Sequence, residues 1–229
     1  MYPDNVVKGS TSYRARAPEV WLAAGIALIC AGALTGMGSL KGIALSMLFT
    51  QAGLLCIACA GANWSDEPVK SGLGLDSPVR PLSLKGAIIA VISLLWLSFS
   101  LNFFLEFSGM RENSALVELE KQLTHIKKQE LVWMLVCLAL LPALAEELLF
   151  RGLLLGRLKA RWGPNVALTL SSLLFGAAHL DLAQGLAATV LGVFLGGLRL
   201  RTGSVHASIL CHASNNGIAV LLPQLVELG

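Results

Sequence analysis

The sequence predicts an all-α membrane protein, a polytopic bundle of about seven transmembrane helices plus an amphipathic interfacial helix, and three observations support this. The chain is 55% hydrophobic and 14% charged over 229 residues, with a mean hydropathy of +0.70, which is too apolar for a soluble domain of that size. Its apolar residues fall into runs long enough to cross about 30 Å of hydrocarbon at the rise of an α-helix. Only short polar stretches part these runs, so a single integral membrane domain is expected over residues 1–229. The net charge of +3 is small, and no basic patch with interleaved aromatics points to a nucleic-acid partner.

Residues 1–17 are polar and carry Lys8, Arg14 and Arg16. They read as a cytoplasmic tail ahead of a first span at 20–40. The length of that run and the acidic residues before it favour a retained helix over a cleaved signal peptide. A second span is expected at 43–62. Gly32 and Gly36 have the spacing of a close helix contact.

Residues 63–85 are polar and contain Pro68, Pro78 and Pro81, so they read as a loop. A third span is expected at 86–107. From 108 to 130, Leu116, Leu119, Leu123 and Ile126 recur at helical spacing among Glu118, Glu120, Lys121 and Lys127. That pattern predicts an amphipathic helix on the membrane surface.

Span four begins near Leu131 and runs to the Gly163-Pro164 break. Spans five, six and seven are expected at 165–179, 182–198 and 205–222, with Pro223 ending the last. Gly192 and Gly196 suggest another close contact. Placing the N-terminus in the cytoplasm puts the basic residues at 70–85, 157–161 and 199–201 on the same side, as the positive-inside rule asks. The expected location is a prokaryotic plasma membrane, crossed several times.

The five cysteines give no ligand pattern. Cys56 and Cys59 form a C-x-x-C inside an apolar run and read, like Cys30 and Cys137, as lipid-buried small hydrophobes. Cys211 adjoins His212, but adjacent helix residues face different directions, which argues against a Cys/His nucleophile pair.

The densest charge in an apolar setting is Glu146, Glu147 and Arg151. Even low insertion-scale values put each such side chain at about 2.5 to 3.5 kcal/mol at a bilayer centre, so the cluster needs a reason. Glu147 and Arg151 lie four apart on one helix face and can satisfy one another. Glu146 is rotated about 100° away, which leaves it without a partner on its own helix and makes it the candidate chemical group. Counted from the basic ends, Glu147, His179 and Asn216 each lie about 20 Å along their helices. His212 and Asn216 are four apart and offer paired donors, as an oxyanion needs. Phe175 and His179 have the same spacing. A buried carboxylate and an imidazole on separate helices can share a water, take its proton and present hydroxide to a carbonyl. No Ser, Thr or Cys stands as an evident nucleophile beside a base.

Glu146-Glu147-x-x-x-Arg151, Phe175-x-x-x-His179 and His212-x-x-x-Asn216, in this order on separate spans, resemble the motif set of the CPBP family. That family comprises CAAX prenyl endopeptidases of the Ras-converting-enzyme type, bacteriocin-processing and self-immunity proteins, described as glutamic-type intramembrane proteases. The resemblance covers about residues 130–222, the expected catalytic core. Thr202-Gly203-Ser204 is similar too, whereas His206 stands where the family has an aromatic residue, often Trp.

The resemblance implies that Glu146 and His179 activate water, that His212 and Asn216 stabilise the oxyanion, and that Glu147 and Arg151, with Phe175, support the site. It implies a membrane-anchored protein or peptide substrate approached from the cytoplasmic side, and neither a cofactor nor a metal. Two rivals stand beside it. One is a zinc-dependent protease with Glu and His ligands, although no H-E-x-x-H is present. The other is a non-catalytic immunity or carrier protein, although no pair of broken helices marks a carrier.

Overall fold

The computed structural model describes residues 18–35, 39–65, 67–112 and 114–227, and every described element is helical. The N-terminal tail at 1–17 and Gly36 lie outside the described residues. Four helices are long and apolar enough to cross a membrane by length and composition: Leu40–Asn63, Leu84–Phe107, Lys128–Ala177 and Leu182–Thr202. They form an all-helical membrane bundle together with a shorter apolar helix at Pro18–Leu34 and the C-terminal helix His206–Glu227.

α1 (Pro18–Leu34) and α2 (Leu40–Asn63) pack as a hairpin. Gly25 and Gly53 face each other across it, and a Cβ on Gly25 would meet the Gly53 carbonyl oxygen at 2.7 Å. Close backbone approach of this kind replaces the hydrophobic drive that lipid removes. Gly32 takes part as the spacing predicts, against Thr50 and Ser46. Ser39 caps α2 by accepting from the Gly42 N–H.

Residues 63–83 are more than a surface loop. They contain a single helical turn, α3 (Val69–Gly72), and then Leu73, which is buried with Ala58, Ala62, Leu148 and Val205. Past this strap, α4 (Leu84–Phe107) starts at the Ser83 cap. It presents Ile88, Ile92, Trp96, Phe99 and Phe103 outward, as a lipid-facing helix would.

The expected amphipathic helix exists but is shorter than 108–130. Gly109, in the left-handed region at φ 73°, ends the preceding helix turn, and α5 covers only Ala115–Thr124. Its apolar side places Leu119 and Leu123 against Ile43, Met134 and Val220.

The run that carries the glutamates is α6 (Lys128–Leu135), a π-helical turn at Val136–Leu140, α7 (Leu141–Glu146), a second π-helical stretch at Glu147–Leu154, and α8 (Leu155–Ala177). Pro142 lacks the N–H that would close the ladder onto Leu138, and the π turn just before it absorbs that defect. Gly163, at φ 79° and ψ 171°, breaks α8 as the Gly-Pro pair predicts, and Pro164 restarts it.

α9 (Leu182–Thr202) is capped by Asp181 and ends at Gly203 in the left-handed region. α10 (His206–Glu227) differs from expectation at its end, because it continues through Pro223. A proline so close to a helix terminus removes one hydrogen bond where the last turns have few left to lose.

Candidate active site

Three helical segments and one unforeseen helix converge on the charges. Glu147 and Arg151 are both fully buried, and Arg151 Nη1 donates to Glu147 Oε1 at 2.8 Å. The predicted pair therefore forms. Its surroundings explain how a guanidinium tolerates that depth. The Arg151 Cζ lies 4.1 Å from the centroid of the Phe175 ring, a cation–π contact, and a Cβ on Gly192 would meet Arg151 Nη2 at 3.1 Å. Gly192 thus makes room for the arginine more than for a helix backbone, and Gly196 packs on Leu168 and Leu155.

From α10, His212 Nδ1 stands 2.9 Å from Glu147 Oε1. A carboxylate oxygen beside two nitrogens accepts from both, so Nδ1 carries the hydrogen and Nε2 faces the other way. On that side Glu146 Oε2 lies 3.8 Å from Nε2.

Glu146 has a partner after all, and it comes from α2. Gln51 Nε2 donates to Glu146 Oε1 at 3.1 Å. The two glutamates thus occupy different settings. Glu147 is sealed at 0% side-chain exposure, held by Arg151 and His212, while Glu146 keeps 14% and touches a neutral amide.

His179 sits at the end of α8, where its Nδ1 is 2.9 Å from the Phe175 carbonyl oxygen. A carbonyl only accepts, so this nitrogen is the donor and Nε2 keeps its lone pair. Its ring meets Phe175 edge-on at 5.0 Å, and Phe175 also meets His212 at 5.9 Å and Phe150 at 5.2 Å. Phe175, itself buried, is the shared wall between both imidazoles and the arginine. Asn216 lies one turn beyond His212 on α10, and its side-chain oxygen accepts from Asn215 at 3.4 Å.

The strap supports this cluster from below. A Cβ on Gly152 would fall 2.2 Å from the Leu73 carbonyl oxygen, so only glycine fits beside Arg151 there. Gly74 accepts from the Val205 N–H at 3.0 Å and the Ser204 hydroxyl at 3.3 Å, and Arg80 N–H donates to Thr202 O at 3.2 Å. The strap therefore ties the Glu147–Leu154 stretch to the α9–α10 turn. Arg157 donates to the Gly61 carbonyl, which sets the end of α2 level with a point ten residues, or about 15 Å, along the helix from Glu147. That is about half the thickness of a bilayer core.

The sequence reading missed Gln51 and the Leu73–Gly152 approach. Gln51 had a signal, since a long amide inside an apolar span is itself a functional flag; the strap contact had none. The reading of Cys211 fits the geometry, because it packs on Ala90, Leu94 and Leu195 while His212 faces the glutamates. His206 is exposed at the start of α10, 2.5 Å from Ser204 Oγ and apart from this cluster. Among the described residues, no three His, Cys, Asp or Glu side chains group as a metal site.

A bundle of apolar helices enclosing two carboxylates, an arginine and two imidazoles is a polar cluster at membrane depth, which marks a functional site. Residues 128–218, which carry all of these groups except Gln51, match the family model described as Rce1-like, type II CAAX prenyl endopeptidase Rce1-like. This agrees with the resemblance to the CAAX proteases and supports a multi-pass membrane endopeptidase acting on a membrane-associated peptide. No curated protein and no solved structure matches the chain significantly.

Proposed function

We propose that the chain is a glutamic-type intramembrane endopeptidase in which Glu146 and His179 activate water. The observation that carries this is the unequal setting of the adjacent glutamates. Glu147 is closed off between Arg151 and His212, whereas Glu146 is partly open and, among the described residues, hydrogen-bonded only by an amide. Glu147, Arg151 and Phe175 are then the frame.

In the proposed reaction, Glu146 Oε2 takes a proton from water while His179 Nε2, free as an acceptor, orients it. The water oxygen bonds to the scissile carbonyl carbon, and the carbonyl electrons move onto its oxygen. Asn216 and His212 donate to that oxyanion, His212 through Nε2 in its doubly protonated form, since Nδ1–H is committed to Glu147. The C–N bond then breaks as the proton held by Glu146 passes to the leaving amine, giving an amine and a carboxylic acid, whose remaining hydroxyl proton passes to His179 Nε2 to leave the carboxylate. Loss of a positioned base of this kind costs about a hundred- to ten-thousandfold in rate.

The substrate on this reading is a membrane-anchored protein cut near its anchor, with a prenylated CAAX-type or other C-terminal signal as the first class to try. The enzyme would sit in a prokaryotic plasma membrane with its N-terminus in the cytoplasm. The test is cleavage of membrane-anchored reporters in liposomes by wild type, Glu146→Ala and His179→Ala, each with and without a strong chelator. Loss in both variants with no chelator effect supports the activated water. Restoration by Zn²⁺ after chelation makes the site metallic instead, and full cellular function in both variants makes the chain a binding or immunity protein.

A further inference from the structure

We infer that Gln51, on α2 and outside the family-matched segment, is a positioning residue for Glu146. This deepens the proposed function and rests on it. Gln51 is 3% exposed on a helix whose nearest other polar side chains are the small hydroxyls of Ser46 and Thr50, and its one side-chain hydrogen bond among the described residues is Nε2 to Glu146 Oε1 at 3.1 Å. Its own side-chain oxygen is buried without a protein partner among the described residues.

A buried amide with an unsatisfied oxygen costs stability, because the lone acceptor has given up its water without a replacement. An apolar side chain of similar length would fill the same space without that cost. What the amide supplies is direction. A carboxylate with two equivalent oxygens and free side-chain torsions has many orientations; a donor on Oε1 turns Oε2 toward the His212 Nε2 side, where it stands 3.8 Å away.

The groups facing Glu146 from the surrounding elements are Gln51 from α2, His212 from α10, and Glu147 and Arg151 from its own helix run, the arginine acting through its charge. Among them Gln51 alone is a neutral donor to Glu146, so it can orient Glu146 without neutralising it. α2 and α7 also pack directly against each other, which makes the register of this contact a property of the fold.

The test uses the full chain in nanodiscs, comparing Gln51→Met, which keeps length and removes the amide, with Gln51→Asn, which keeps polarity and withdraws the donor. Ser46→Ala, another buried polar residue on α2, is the control. The account expects Gln51→Met to unfold no earlier than wild type while its kcat falls about ten- to a hundredfold, with KM within about twofold. Gln51→Asn loses kcat similarly, and Ser46→Ala keeps it. Independently of turnover, the infrared carboxyl or carboxylate band assigned to Glu146 by its disappearance in Glu146→Gln shifts in Gln51→Met and stays in Ser46→Ala. Wild-type kcat with an unshifted Glu146 band in Gln51→Met overturns the inference, as does a loss of kcat that tracks a loss of folded protein. Retained turnover in Glu146→Gln would instead sink the functional reading while leaving the Gln51 band shift as a structural fact.

Discussion

The two halves of this molecule are built to different rules. The segment from α6 through most of α10 buries charge, bends through π turns at Val136–Leu140 and Glu147–Leu154, and carries the matched family pattern. Residues 18–107 look like ordinary spans: glycine-contacted α1 and α2, and a lipid-facing α4. Yet that plainer half reaches the centre twice, through Gln51 on Glu146 and through Leu73 on Gly152. The difference teaches that a motif can supply reactive groups while the chain before it holds them in register.

The largest expected effect lies wholly in the C-terminal half. Glu146→Gln should lower turnover about a thousandfold or more with a thermal midpoint near wild type, because the amide still meets Gln51 and the partly open rim. Next comes Arg151→Met, which removes the guanidinium from a fully buried carboxylate and leaves Glu147 with His212 as its one side-chain partner among the described residues. Breaking such a pair costs about 3 to 5 kcal/mol, measured as lost thermal stability in detergent.

Gly152→Ala probes the link between the halves. The added methyl would sit 2.2 Å from the Leu73 carbonyl oxygen, and forcing it in should cost about 1 to 3 kcal/mol. Protease cutting within residues 66–83 should rise in that variant; unchanged cutting and stability would mean the strap and the site are independent.

The smallest effect concerns Asp181, which caps α9 through the Gln184 N–H at 2.8 Å and also accepts from the Ala115 N–H of α5 at 3.0 Å. Burial pushes its carboxyl up, but hydrogen bonds from Gln184, Ala115, Ser114 and Ala183 outweigh that and hold it below the ordinary value. A lowered carboxylate contributes stability that is whole above its unfolded-state value and is lost as pH falls through the folded-state one. Asp181→Ala should therefore cost about 1 kcal/mol at neutral pH, and its deficit should shrink in melts below the usual carboxylate range.

Much of this was legible from sequence because the signals are local. Apolar runs set α2, α4 and α9; Gly163-Pro164 marks a break; and the i,i+4 rule finds Glu147 with Arg151. Helix periodicity also separates Cys211 from His212. What escaped is non-local or depends on small backbone changes. Nothing near Gly152 announces Leu73, which is some eighty residues earlier in the chain. The short α5 follows from a left-handed Gly109, and the π turns shift faces by a residue without altering the hydropathy pattern. Gln51 was visible as a polar residue, but its partner was not.

The most direct test of the account is to measure reporter cleavage and thermal midpoint side by side in Glu146→Gln and Glu147→Gln. The account predicts that Glu146→Gln stays folded and loses turnover, while Glu147→Gln loses stability because Arg151 is left buried without its counter-charge. A folded, inactive Glu147→Gln beside an active Glu146→Gln would reverse the roles and contradict it.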